Sequence, residues 1–252
     1  MASLHKKWLL PCLLLASTSA WAATSLRIGV ADTDAPPIAV LSEDGNTLTG
    51  GLARDLGLLL AEEINLKPQF VLLARRRVEP SIESGKVDII CNANPDWFPN
   101  SSRLGWTHEI YPLVERVLSL KGQPPIRQLD DLAGKNIGTL HGYHYPTLEY
   151  LWASNRSQRQ TEARFDLLFK SLEKHLSDVA IVTELTYVWW TRGHAQEAAA
   201  FKVHPLLVSS QPTMCALSPQ SPLKLDELNR AIDRLHKSGK LKTLMSRYQW
   251  QE

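Results

Sequence analysis

Residues 84–112 read SGKVDIICNANPDWFPNSSRLGWTHEIYP. Val87, Ile89 and Ile90 are β-branched and follow the turn residue Gly85, so 86–92 is predicted to be a short buried strand. A loop rich in Asn, Pro and Ser comes next, with one isolated cation, Arg103, and then two aromatics, Trp106 and Tyr111. Open α/β sheets bind ligands at loops leaving the C-terminal ends of their strands. Arg103 is therefore either a solvated surface cation or a planar fork of donors suited to a carboxylate.

The order of these features resembles the bacterial extracellular solute-binding proteins of family 3, the periplasmic amino-acid-binding type. In that family a Thr-x-x-Arg loop clamps the ligand α-carboxylate. Arg103 falls on that arginine, with Asn100 in place of the threonine and a longer loop; Trp106-Thr107 and Ile110-Tyr111 stand for its Phe-Ser and Pro-Tyr. The resemblance covers nearly all of the chain after residue 25. It implies an α/β fold of the type 2 periplasmic-binding-protein kind: two lobes of open sheet flanked by helices and joined by two crossing strands. It also implies Trp106 and Tyr111 as aromatic walls of the ligand site.

The first residues point to export. His5, Lys6 and Lys7 form a basic start, 8–16 an apolar run, and Ala20-Trp21-Ala22 an A-x-A cleavage site. The run is short for a membrane span. Cys12 follows Pro11 rather than a small residue, which argues against a lipid anchor. Cleavage after Ala22 removes Lys6 and Lys7, so the 28 basic residues fall to 26 and match the 26 acidic ones. Such a neutral chain is a poor partner for nucleic acid or an anionic membrane. The remaining cysteines, Cys91 and Cys215, are too few for a disulfide framework but are a pair in an oxidising compartment.

Along the chain, strands alternate with helices. A strand over 25–30 ends in a loop with Pro36 and Pro37, which bar helix or central strand. An amphipathic helix over 52–64 and a strand over 68–73 follow. Arg75-Arg76-Arg77 is expected to open a helix running to Gly85, where three cations oppose the macrodipole. They either point to solvent or draw an anion to the cleft, with Arg76 the candidate ligand contact. A crossing segment over 114–120 leads to 129–138, LDDLAGKNIG, which is similar to the family's opening of the second lobe. Helices are predicted over 145–153, 166–175, 185–192, 225–235 and 241–250, and strands over 178–182 and 213–218, with 201–210 returning to the first lobe.

Departures from the family pattern bear on the ligand. Gly142 is kept where the family has Gly-Thr-Thr, while Tyr143 and His144 replace the hydroxyl residues that help hold the carboxylate. Gly142, Tyr143 and His144 are expected to supply backbone donors and an aromatic wall. Thr183 stands where the amino-acid binders have the aspartate that pairs with the ligand ammonium, leaving Glu184 as the substitute. Trp189 and Trp190 read as core and lobe surface.

The expected domain order is a leader over 1–22, lobe 1 over 23–113, the crossing segment and lobe 2 over 114–210, and a return to lobe 1 over 211–252. The resemblance implies a periplasmic monomer that captures a small carboxylate, an amino acid or related compound, for the inner-membrane permease complex of an ABC importer. A dehydratase-like enzyme on this fold is the rival reading, with His108, Glu109 and His144 as its acid or base candidates. A sensor for a membrane kinase is the third. His108, His141 and His144 do not share an expected helix face, so no metal is expected, and no cofactor. Cys91 and Cys215 are expected on neighbouring strands.

Overall fold

The computed structural model describes residues 25–249. The expected leader, Cys12 and the end of the last predicted helix at Trp250 lie outside these residues. No described helix is long and apolar enough to cross a membrane.

Strand β1 (Ser25–Ala31) leads through a small ribbon, β2 (Val40–Leu41) and β3 (Leu48–Gly50), into helix α1 (Leu52–Glu63) and β4 (Lys67–Leu73). A 3-10 turn, Arg75–Arg77, precedes α2 (Val78–Glu83) and β5 (Ile89–Ala93). A loop with two further 3-10 turns and a short β6 (Gly105–Trp106) reaches the first crossing strand, β7 (Tyr111–Leu120). The second lobe holds β8 (Asn136–Leu140), α3 (Glu149–Ala153), β9 (Gln158–Glu162), α4 (Phe165–Glu173), β10 (Val179–Thr183), α5 (Glu184–Gly193) and α6 (Ala195–Ala198). The second crossing strand, β11 (Phe201–Leu217), returns to α7 (Leu225–Lys237) and α8 (Lys240–Met245).

Hydrogen bonding runs in the order β4-β1-β5-β11-β7-β10-β8-β9, with β6 alongside β11. The crossing strands β7 and β11 pair antiparallel from Phe201 opposite Leu120 to Thr213 opposite Tyr111. They tie together two half-sheets that are otherwise parallel apart from β10 against β7 and β11 against its neighbours. This is the two-lobed α/β architecture expected.

Both lobes use one device to align their first strands. Asp88 donates its amide to the Arg27 carbonyl at 2.8 Å and accepts the Arg27 amide on Oδ2 at 2.9 Å. Asp178 does the same with Asn136, at 2.9 and 2.7 Å. An aspartate just before each buried strand thus pins the start of the strand beside it. In lobe 1 the Arg27 guanidinium adds bonds to both Asp88 oxygens, at 2.9 and 2.6 Å. Burial alone would raise the Asp88 carboxyl, but the Arg27 and Ser221 hydrogen bonds outweigh it and hold it below the usual carboxylate range.

Helices lie close on the sheets where glycines leave room. A Cβ on Gly57 of α1 would stand 2.7 Å from Ile28 Cδ1, and one on Gly138 of β8 would stand 2.8 Å from Leu168 Cδ1. Gly51, at φ 96°, turns the chain into α1 in a conformation that disfavours any other residue. Lobe 1 buries Leu52, Leu56 and Leu60 of α1 against Leu228, Ile232 and Leu235 of α7. Leu185, from α5 of lobe 2, is buried in that same cluster, so the two lobes touch directly.

Cys91 and Cys215 form a disulfide between β5 and β11. Met214 pairs with Ala93 and Ala216 with Ile90, so a bulge sets Cys91 and Asn92 opposite Cys215 alone.

Several elements differ from the sequence reading. The helix expected over 145–153 covers only Glu149–Ala153. Before it the chain moves in three-residue turns, Leu148 amide to Tyr145 carbonyl and Leu151 amide to Leu148 carbonyl, because Tyr145 and Leu148 are buried as anchors. The segments 201–210 and 213–218 form one strand, with Pro212 opposite Pro112 in register. Arg75–Arg77 makes its own turn rather than opening α2. β9 was not expected: its polar QRQTE has no apolar alternation, because it is an exposed strand at the edge beside β8.

Candidate functional site

The loops leaving β1, β4 and β5 in lobe 1 and β8 and β10 in lobe 2 gather on one side of the molecule. Ala35 and Pro36, from the loop after β1, line one pocket with Leu140, His141 and Tyr143, from the loop after β8. The lobes therefore meet over a cleft where their strand ends face each other.

On the lobe 1 side stands Asp34, half-buried, with its amide bonded to the Ala31 carbonyl at 3.1 Å. Burial raises its carboxyl above the ordinary range and Asp32 adds to this, while the Ala31 backbone and the Arg75 guanidinium oppose it. Beside it Tyr111, on β7, is buried and donates its hydroxyl to Asn92 Oδ1. Burial pushes that phenol well above its normal range and the Asp34 charge pushes further, so Tyr111 stays neutral. Glu115, two residues before the buried run of β7, accepts a hydrogen bond from Ser209 at 2.6 Å. Burial raises its carboxyl despite that bond.

On the lobe 2 side Tyr143 is 47% exposed. Desolvation raises its phenol first, and the Glu115 and Asp34 charges add to it. The charges of a carboxylate on the lobe 1 loop and of another on the crossing strand thus act on one tyrosine of lobe 2. Its ring stacks on Tyr145 at 6.4 Å. Its carbonyl accepts from Arg159 at 2.8 Å, and Arg159 is itself stacked over Tyr145 and Trp152, at 5.4 and 4.8 Å. Arg159 therefore fixes this loop to β9. Gly142, at φ 79°, turns the chain at the exposed tip, and His144 is exposed beside it. Among the described residues the Gly142 and His144 amides have no acceptor, which leaves them available to an anion.

The other candidates from the sequence have partners of their own. Arg103 is 69% exposed and lies 3.8 Å from Glu83, at the end of α2. Trp106 packs edge-on against Phe98 and donates its ring nitrogen to the Ser101 carbonyl at 3.0 Å, so it braces the loop. Arg76 shares a shallow surface pocket with Arg75 and Glu79, and it is Arg75 whose charge reaches Asp34. Glu184 opens α5 and is ion-paired with Arg116 at 2.7 Å. Thr183 caps the same helix, its hydroxyl accepting the Thr186 amide at 3.2 Å.

Sequence reading missed Asp34 and Glu115. A signal existed for Glu115, one of two adjacent charges, with Arg116, inside the strand sequence VERVLSL. It read Trp189 and Trp190 as core and lobe surface; Trp190 packs against the lobe 2 core, and both also line the interlobe pocket. Among the described residues no three His, Cys, Asp or Glu side chains are placed to hold a metal ion.

The comparisons with known proteins agree with this fold. The chain is 26% identical over 171 residues to the lysine/arginine/ornithine-binding periplasmic protein of Escherichia coli (strain K12), a match covering 68% of this chain and 65% of that relative. The matched stretch is thus just under two thirds of the relative's length. Among solved structures, the L-cystine solute receptor of Neisseria gonorrhoeae, in its unliganded open conformation, superposes with a TM-score of 0.72 at 14% identity, covering 89% of this chain and 92% of that one. The probable amino-acid ABC transporter extracellular-binding protein ytmK of Bacillus subtilis superposes with a TM-score of 0.71 at 18% identity, covering 90% and 99%. At these identities the superpositions establish the fold. The model of one family matches residues 26–251, nearly the whole chain. The chain belongs to the bacterial extracellular solute-binding proteins, family 3.

Proposed function

We propose that this protein captures a small carboxylate-bearing solute, an amino acid or a related compound, between its two lobes in the periplasm and delivers it to an ABC importer. The observation that carries the reading is the pocket between the lobes, lined by Ala35 and Pro36 just after β1 and by Leu140, His141 and Tyr143 at the end of β8, at the strand ends where open α/β sheets bind ligands. Family membership supports capture rather than turnover as the role. The relatives' names, which record cationic amino acids in one case and L-cystine in another, support an amino-acid-like ligand. The Bacillus subtilis neighbour's name supports the importer as partner.

In this reading the Gly142 and His144 amides and one arginine hold the carboxylate. Arg103 is the first choice for that arginine. Its contact with Glu83 is long and exposed, and such pairs are worth about 0–1 kcal/mol, so a ligand competes for it at little cost. Arg75, already within reach of Asp34, is the second. Asp34 and Glu115 face an ammonium or other donor on the ligand, a role Glu184 cannot take without abandoning Arg116. Tyr111 and Tyr143 wall the space between. The lobes close over the ligand by bending at the crossing strands.

Titration calorimetry on the mature chain with a panel of amino acids and plain carboxylates tests this. One-to-one binding of at least one class is expected, weakened in Asp34→Asn or Arg103→Ala. Absence of binding across the panel contradicts the reading.

A further inference from the structure

The interlobe pocket that includes Tyr143 extends past the strand ends and has a volume of about 540 Å³. That falls within the range of roughly 300–1,000 Å³ typical of small-molecule sites. By the ~30 Å³ a water takes in the liquid it has room for roughly eighteen waters. Aromatic rings form much of its wall, Tyr143, Phe165, Trp189, Trp190 and the His194 ring, with the Arg164–Asp166 ion pair, His141 and Thr186 as its polar lining. Opposite them Ala35 and Pro36 of lobe 1, small residues, leave the space open.

These walls are fixed before any ligand arrives. The Trp190 ring packs on Phe169 at 4.2 Å and lies parallel to His194, 4.6 Å away at 6°. The guanidinium of Arg192 stands 5.0 Å over the Trp189 ring. The Tyr143 loop is held by Arg159. Rigid ring faces at set angles reward a flat partner through offset or edge contacts, beyond what area burial alone gives an alkyl chain. The pocket also adjoins the proposed polar contacts along the chain, because its lining residue Ala35 follows Asp34 and its lining residue Tyr143 lies between Gly142 and His144. Its occupant is thus a part of the captured solute rather than a separate molecule.

We propose that this pocket receives an aromatic ring of the ligand, so that the solute is an aryl-bearing carboxylate or aromatic amino acid. The proposal rests on the capture of a carboxylate in the cleft and names the class of solute captured.

The test uses matched pairs: L-phenylalanine with L-alanine, and indole-3-acetate with acetate, titrated calorimetrically against the mature chain. Burying a ring of phenyl size is worth roughly thirtyfold in affinity, so the aryl member of at least one pair is expected to bind about that much more tightly. Trp189→Leu should erase most of this advantage while leaving the affinity for the compact member unchanged. Ala163→Trp, on the exposed pocket rim, should do the same by filling the space, and covers the case of a misfolded Trp189 variant. Compact members that bind as tightly as their aryl partners overturn the proposal and leave carboxylate capture standing. An aryl advantage untouched by either variant also overturns it. No binding by either member of both pairs overturns the proposal, while carboxylate capture is decided by the wider panel.

Discussion

Arg116, on the first crossing strand, and Glu184, the first residue of α5, are joined at 2.7 Å with side chains only 15% and 9% exposed. The pair ties a strand that both lobes share to the helix of lobe 2 that reaches into the lobe 1 core through Leu185. Arg116 also donates to the Pro205 carbonyl at 3.1 Å, so its charge has two partners and Glu184 is one of them.

Glu184 should therefore act on stability before it acts on ligand. Breaking a buried pair by removing one partner costs roughly 3–5 kcal/mol, because the other charge is left uncompensated. Glu184→Ala is expected to lower the Tm of the unliganded chain markedly, and Arg116→Met with Glu184→Leu to recover much of the loss. Thermal unfolding of the two variants beside the wild type checks this. An unchanged Tm in Glu184→Ala would return Glu184 to the list of ligand contacts.

The opposite pattern is expected for Arg103. Its long contact with Glu83 adds little to stability, so Arg103→Ala should leave the Tm of the unliganded chain nearly unchanged. Losing one partner of a desolvated charge pair costs roughly 2–5 kcal/mol, or thirtyfold and upwards in Kd. Calorimetry of Arg103→Ala beside Arg75→Ala decides which arginine holds the carboxylate.

His204 should make stability depend on pH. It is 1% exposed, accepts the Ile126 amide on Nδ1 at 3.0 Å and meets the Ser119 hydroxyl on Nε2 at 2.8 Å. Burial, with Lys202 and Lys135 adding, lowers its pKa to about 4. The unfolded chain protonates this histidine near pH 6.5 and the folded chain only near 4. Between those values the unfolded state binds more protons, so stability is fully present above pH 6.5 and is lost as pH falls towards 4. The loss is on the order of 3 kcal/mol. Asp34 and Glu115, whose carboxyls are raised, contribute with the opposite sign just above the ordinary carboxylate range. Urea unfolding of the wild type against His204→Asn separates the terms: the difference in slope between pH 6.5 and 4 belongs to His204. Parallel curves would contradict the assignment.

The disulfide closes a loop with a sequence separation of 124. Loss of such a bridge typically costs about 2–5 kcal/mol. Cys91→Ser with Cys215→Ser, or reduction of the wild type, should lower stability by that order. Thiol counting on the denatured, unreduced mature chain should find none free; two free thiols would contradict the bridge.

Most of the fold was legible in the sequence because its signals are local. The β-branched runs at 87–90 and 179–182, the stripe Leu52, Leu56 and Leu60, and the punctuation by Gly51 and Gly85 each follow from side chains a few residues apart. The neighbouring positions of Cys91 and Cys215 were also foreseen, but the bulge that aligns them was not, since it depends on register between strands. β9 was invisible because an exposed edge strand needs no apolar alternation. The candidate site was harder to read for the same kind of reason. Asp34 and Glu115 look like ordinary polar residues until burial raises their carboxyls, and the weak contact of Arg103 with Glu83 depends on where α2 ends. Trp189 and Trp190 read as core and lobe surface because helical spacing shows which residues share a face, not which face meets a cavity.

Native mass spectrometry of the mature chain, purified without denaturation and then mixed with the carboxylate and amino-acid panel, tests capture between the lobes most directly. The expected result is a mass increase equal to one small carboxylate-bearing molecule per chain, lost on activation and much reduced in Asp34→Asn. A spectrum showing only the bare chain, both as purified and with every member of the panel present, would contradict it.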